Sequence, residues 1–211
     1  MNWNKQNPYL AKITSKKLLS GKQSNKEVFH YEISLGDSGI IYQPGDSIGI
    51  FPINNSTLVK AIINRLQINP KYTPEGYDHN IYDLLEKKFE ILTPTNRLIK
   101  FVNDNINHNA LNHSLASKNK NILMDFKYGK DVLDFMNLDE NLKFDVLHFL
   151  TLLKPLQHRA YSIASSNLIF KNSVHLTVST QRWQRKSRDY GGVCSTFLSD
   201  SCDLGDKIKI F

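Results

Sequence analysis

Hydrophobic patterning predicts a mainly β protein carrying a helical insertion. Both ends of the chain alternate apolar and polar residues with a period near two, whereas the middle repeats apolar residues every three or four positions. Turn-forming Gly, Pro and Asp separate the alternating runs near the N-terminus. Strands, then helices, then strands again describe an antiparallel β domain interrupted by a helical segment. The expected boundaries are residues 1–54 and 155–211 for the discontinuous β part and 55–154 for the insertion.

From Tyr9 to Phe51 the reading is strand-like. Leu10–Thr14 opens it, and Val28–Leu35 (VFHYEISL) alternates cleanly. Gly36-Asp37-Ser38-Gly39 and Pro44-Gly45-Asp46 supply turns, Asp46 through a local side-chain hydrogen bond. Ser47–Phe51 forms a short strand stopped by Pro52. In the middle third, Leu58, Ile62 and Leu66 lie at helical spacing behind Ser56, an available N-cap. Ile81–Phe89 is a second amphipathic segment. Leu142, Val146, Phe149 and Leu153 read as one buried stripe. The Asn- and His-rich stretch 103–121 has weak periodicity and is expected to be loop. Strands return at Arg159–Ala164, Val174–Thr180 and Lys207–Phe211, with a short helix at Cys194–Leu198. The chain stops inside a strand pattern, which is the expectation for an excised module.

Composition narrows the classes. A hydrophobic content of 40% and a charged content of 22% suit a globular fold. The net charge of +7 is spread thinly as Lys and Arg over the sequence, so a nucleic-acid-binding module is disfavoured and a solvated basic surface is expected. No run reaches the roughly 20 apolar residues of a membrane span, and Met1–Asn7 has no secretory pattern. Two cysteines, Cys194 and Cys202, make no disulfide framework and suit a cytoplasmic setting. Cys194 reads as a buried small residue and His30 as structural.

Two segments carry chemistry. In Arg159–Ser166 (RAYSIASS) a strand would place Arg159, Tyr161 and Ile163 on one face and Ser162 on the other. Arg offers a fork of donors for phosphate, and Tyr a flat ring with a hydroxyl handle. In Gly191–Leu198 (GGVCSTFL) paired glycines lead into a helix whose first N–H groups would face an anion. Together they would grip a pyrophosphate from two sides.

These segments resemble the flavin strand and pyrophosphate loop of the ferredoxin–NADP reductase superfamily. The run His30–Gly39, continued through Tyr42–Gly49, with Asn7-Pro8-Tyr9 and Leu152–Leu156, is more similar still to the diflavin reductases, and within them to the NADPH-dependent sulfite reductase flavoproteins. The resemblance implies a flattened antiparallel FAD-binding β-barrel with an α-helical connecting region, and FAD as cofactor. It implies that Arg159 pairs with the FAD phosphates, that Tyr161 packs on the isoalloxazine, and that Ser162 sits near the hydride-accepting N5 as the candidate catalytic residue. Ala160 lies between them on the same strand. Thr177, Val178 and Ser179 would line the flavin, Trp183 the adenine end, and Gly191, Gly192, Val193, Cys194 and Ser195 the pyrophosphate and ring; Thr93 would reach the cofactor from the insertion.

The same resemblance implies an FMN-binding flavodoxin-like domain, an NADPH-binding domain and a haem-containing sulfite reductase subunit as partners. No Gly-rich dinucleotide loop occurs, so neither the FMN nor the NADPH domain is expected in this chain. Another diflavin reductase with a different acceptor, and a split or degenerate remnant, stay open as alternatives. No metal site, nucleic acid or membrane is implied.

Overall fold

The period-two segments at both ends of the chain become strands of one sheet in the computed structural model, which describes residues 3–211. In chain order the strands are β1 (Tyr9–Leu18), β2 (Glu27–Ser34), β3 (Ser47–Ile50), β4 (Phe89–Glu90), β5 (Lys154–Pro155), β6 (Arg159–Ser162), β7 (Ser173–Thr180), β8 (Arg182–Arg185), β9 (Arg188–Gly191) and β10 (Lys207–Ile210). The helices are α1 (Ser56–Leu66), α2 (Ile81–Lys87), α3 (Asn96–Asn105), α4 (Asn109–Ala116), α5 (Lys120–Lys127), α6 (Val132–Met136), α7 (Val146–Leu152) and α8 (Val193–Thr196). Two compact units result: the residues up to Ile53 with Gln157–Phe211, and Asn54–Leu156.

In the first unit, six strands form an antiparallel sheet in the order β6-β3-β10-β1-β2-β7. Ile13, Ile33, Ile50, Val174, Leu176 and Ile210 are fully buried on its inner face, while their chain neighbours point the other way. Burying each such side chain stabilises by roughly 1.5–3 kcal/mol. A register shift between Ile13 and Ser15 bends β1 against β2. The outermost strands also meet: Ile163, just past β6, bridges Leu176 of β7, and the Ala164 N–H donates to the His175 carbonyl at 2.8 Å. Tyr42 clamps that corner. Its hydroxyl lies 2.7 Å from Ser165 Oγ and donates to the Ser173 carbonyl at 3.0 Å. Asp46 Oδ2 accepts from the Gln43 N–H at 2.8 Å, closing the Pro44-Gly45 turn as its sequence implied.

The second unit is helical, with β4 and β5 paired as a two-residue ladder. Val59, Ile62, Ile63 and Leu66 form the buried face of α1; Leu58 is only partly buried. Asn55, not Ser56, caps this helix, because its Oδ1 accepts from the N–H groups of Thr57 and Leu58. The stripe expected from Leu142 to Leu153 is divided. Only Val146 and Phe149 lie within α7; Leu142 and Leu153 are buried just outside it.

The stretch 103–121 departs most from expectation. It holds the end of α3, all of α4 and the start of α5 instead of a loop. Each of these two short helices is about two turns, too brief to show a clear period, and each is started by a side-chain cap. His108 Nδ1 accepts from the Leu111 N–H at 3.1 Å, and Asn119 Oδ1 accepts from the Asn121 N–H at 3.0 Å. Leu111 then anchors α4 in the core. Arg65 ties the unit together by donating through Nη2 to the carbonyls of Met136, Asp139 and Leu142 at 2.8–2.9 Å. Among the described residues, no helix is long and apolar enough to cross a membrane.

Candidate functional site

The site is assembled where β6, at one edge of the sheet, meets the start of α8. β6 pairs with β3 in the register Ile50–Arg159, Gly49–Ala160, Ile48–Tyr161 and Ser47–Ser162. Alternation leaves Ala160 and Ser162 exposed and Arg159 and Tyr161 half-buried on the other face. The Arg159 guanidinium donates through Nη1 to the carbonyls of Gln157 and His158, which steadies it at the strand's entrance. Tyr161 packs against the core of the sheet unit, where its hydroxyl and the Cys194 thiol lie near enough to influence each other's protonation. That proximity links the strand to the helix start.

The chain reaches α8 through a β-hairpin. β8 and β9 pair from Arg182–Gly191 to Arg185–Arg188, around a turn in which Lys186 takes a positive φ of 53°. Gln181 and the loop then lock together. The Gly192 N–H donates to the Gln181 carbonyl at 2.9 Å, and the Gln181 N–H donates to Ser195 Oγ at 3.1 Å. Neither glycine tolerates a side chain. A Cβ at Gly191 would stand 2.3 Å from Thr196 Cγ2, and one at Gly192 would stand 2.8 Å from Ser195 Oγ. Gly192 caps α8 with no side-chain hydrogen bond. The first-turn N–H groups of Val193, Cys194 and Ser195 have no intrahelical acceptor. Beyond Thr196 the helix widens into a π-turn, Phe197–Ser201.

Electrostatics favour a neutral interior beside a cationic rim. Burial pushes the Cys194 thiol up to about 11, against the lowering influence of the Tyr161 hydrogen bond and the Arg159 charge. Burial, then Cys194, holds the Tyr161 hydroxyl far above its ordinary value. Both groups stay protonated at neutral pH, so Cys194 is a packing residue and not a thiolate.

Val193, Cys194 and Ser195 are buried, and Cys194 packs in the core of the sheet unit. Ser195 Oγ also donates to the Gly192 carbonyl at 3.1 Å. On β7, Val178 is a core residue, Thr177 is exposed and Ser179 is half-buried. Trp183 stacks on Tyr190 with ring centroids 5.7 Å apart and planes 11° apart, and the Arg188 guanidinium lies over the other ring at 4.8 Å. Thr93 belongs to the helical unit and is exposed in the turn before α3, its N–H donating to Glu90 Oε1 at 3.3 Å.

Sequence reasoning did not single out Tyr190, the partner of Trp183, nor Arg182. The latter bridges Glu27, at 2.9 Å, and Asp200, at 2.6 Å. The alternation Arg182-Trp183-Gln184-Arg185 with Arg188-Asp189-Tyr190 was the available hairpin signal.

A glycine-led, uncapped helix start beside an arginine and a tyrosine on a sheet edge has the chemistry that suits an aromatic cofactor carrying phosphates. The chain belongs to the FAD binding domain family, whose model matches residues 1–76 and 79–197. The residues fit that cofactor. The Gly191–Gly192 turn, without side chains, lets a diphosphate approach the helix start, and the half-buried Tyr161 ring offers a flat surface. The chain is similar to the sulfite reductase [NADPH] flavoprotein alpha-component of Bacillus subtilis (strain 168), at 28% identity over 214 residues. It is 30% identical to that of Mannheimia succiniciproducens and 31% identical to that of Buchnera aphidicola subsp. Schizaphis graminum, each over 213 residues. These alignments cover 100% of this chain and 35% of each relative, so the chain spans about a third of the length of the relatives it matches.

Proposed function

We propose that this chain is the FAD-holding module of an NADPH-dependent diflavin reductase of the sulfite reductase type. Residues 1–54 and 155–211 are then one discontinuous FAD-binding module around a connecting region, 55–154. The sheet is then a flattened barrel, a reading supported by the Ile163–Leu176 bridge between its outermost strands.

In this reading Arg159 neutralises the FAD phosphates, Gly191 and Gly192 let the pyrophosphate approach, and the backbone N–H groups of Val193, Cys194 and Ser195 bind it through the helix dipole. Tyr161, packed against the cluster that contains Cys194, gives the isoalloxazine a preset face. Ser162 presents a hydroxyl toward N5, with Ala160 keeping the strand edge low beside it. Thr177, Val178 and Ser179 line the ring mainly through backbone. Trp183, on its Tyr190 support, covers the adenine end, and Thr93 adds a contact from the connecting region. FAD, when bound, supplies two-electron acceptance from NADPH and one-electron donation to FMN. The partners are an FMN-binding flavodoxin-like domain, an NADPH-binding domain and a haem-containing sulfite reductase subunit that reduces sulfite to sulfide. A cytoplasmic location accords with two buried free thiols.

The observation carrying the proposal is the meeting of Tyr161 and Arg159 with the uncapped helix start at Gly192. The chain should take up FAD stoichiometrically, with quenched flavin fluorescence. Arg159→Ala should weaken binding about tenfold or more, the loss of a charge-assisted contact. Failure of the unaltered chain to retain flavin, or equal affinity in the variant, refutes the proposal.

A further inference from the structure

Antiparallel pairing of β2 with β7 brings three ligand-type side chains together on the sheet face opposite the core. His30 and Glu32 are two residues apart on β2 and therefore share a face, while Tyr31 and Ile33 point inward. His175 on β7 stands directly across from Glu32 in the register. His30 Nε2 lies 3.6 Å from Glu32 Oε1, and His175 Nε2 lies 3.9 Å from Glu32 Oε2. One ligand atom from each of the three falls within 4.8 Å of the others. The two imidazoles meet edge to face, with centroids 5.2 Å apart.

These separations are too long for hydrogen bonds, which run to about 3.2 Å. They are close to what a shared cation requires: ligands held at roughly 2.0–2.2 Å from a tetrahedral ion stand about 3.3 Å apart. The carboxylate sits between the imidazoles, one oxygen toward each, and supplies negative charge to balance a divalent ion.

The surroundings suit a built site with one open side. The His175 ring packs on Phe170 at 4.1 Å, and the His175 backbone N–H is fixed by Ser165 Oγ at 3.0 Å. Side-chain exposure rises from 11% at His175 to 26% at His30 and 39% at Glu32, so an ion and a water have a way in. Burial holds His175 below the ordinary imidazole value; Glu32 opposes this and His30 adds to it.

We propose that His30, Glu32 and His175 form a binding site for one divalent first-row cation of the zinc class, with a fourth position open to water. Two imidazoles and a carboxylate are a borderline donor set, favouring Zn2+, Co2+, Ni2+ or Cu2+ over Mg2+ or Ca2+. None of the three residues belongs to the Gly191–Ser195 loop, and occupation of the site does not depend on the FAD reading.

The test is a Zn2+ titration by calorimetry on chelator-treated, tag-free protein, with Co2+ absorption and Cu2+ electron paramagnetic resonance alongside. The unaltered chain should bind one Zn2+, gain thermal stability from it, and show two imidazole nitrogens on Cu2+. Glu32→Gln and His30→Asn, both at partly exposed positions, should each weaken Zn2+ binding about tenfold or more. Their metal-free melting temperatures and FAD content should match the unaltered chain. Absence of saturable binding, fewer than two nitrogens on Cu2+, or unchanged affinity in both variants overturns the site. A chain that fails to hold FAD yet binds Zn2+ through these residues refutes the flavin proposal alone.

Discussion

Gly191→Ala tests whether the glycine pair is required by packing within the loop. The new Cβ would stand 2.3 Å from Thr196 Cγ2 and 3.3 Å from Thr196 Cβ. Thr196 cannot simply rotate, since it is buried and its Oγ1 donates to the Gly192 carbonyl at 2.9 Å. Relief demands either loss of that bond or a shift of the loop, an overpacking cost of about 1–3 kcal/mol. Gly191 does not occupy a positive φ, so alanine also restricts the unfolded chain and recovers about 0.4–1 kcal/mol. The net expectation is a loss of about 1–2 kcal/mol.

Thr196→Ser removes the offending methyl and keeps the hydroxyl. Alone it should cost about 1 kcal/mol for the lost methyl. Combined with Gly191→Ala, it should bring stability back to nearly that of Thr196→Ser alone. Urea unfolding of the four proteins gives the coupling energy, expected at about 1–2 kcal/mol. FAD affinity should follow the same pattern, falling in Gly191→Ala and recovering in the pair. Additive costs, or a neutral Gly191→Ala, would refute the packing argument.

Other outcomes follow from the same contacts. Asn55→Ala should cost about 1 kcal/mol of helical-unit stability and Ser56→Ala almost nothing, read by circular dichroism in urea, because only Asn55 caps α1. Arg182 holds the Asp200 carboxyl below its ordinary value, mainly by hydrogen bonding. A lowered acid stabilises the fold above its unfolded pKa and loses that contribution as pH falls through the folded one. The advantage of the native chain over Arg182→Ala should therefore be present at neutral pH and vanish in strong acid. With both partners well exposed it should not exceed about 1 kcal/mol, measured by unfolding at each pH. Burial pushes Cys194 to about 11 and Cys202 to about 12, so neither thiol should react quickly with a disulfide reagent at mildly alkaline pH until the chain is unfolded. A fast equivalent in the folded protein would contradict the buried placement.

The legible parts were those where one residue's neighbours in sequence are also its determinants. The alternation in Val28–Leu35 and Val174–Thr180 declares strands because a half-buried sheet requires it. The Asp46 turn could be read because its hydrogen bond closes over three residues. The helices across 103–121 escaped because two-turn segments carry almost no period, and a histidine cap at His108 is not a strong start signal. Asn55 and Ser56 are adjacent and both good caps. The backbone at Asn55, with φ −59° and ψ 125°, decided between them.

By itself, the sequence determined a β part divided by helices, and it singled out Arg159, Tyr161 and Gly191–Ser195 as chemistry-bearing. Their alternation, glycine pairing and hydroxyl spacing are local properties of the chain. Only the tertiary structure decided which side chains meet: Trp183 on Tyr190, and His175 across from Glu32. Each contact joins residues through strand register or hairpin closure. Register is set by the burial of whole sheet faces, which is a collective property that no short run of residues contains.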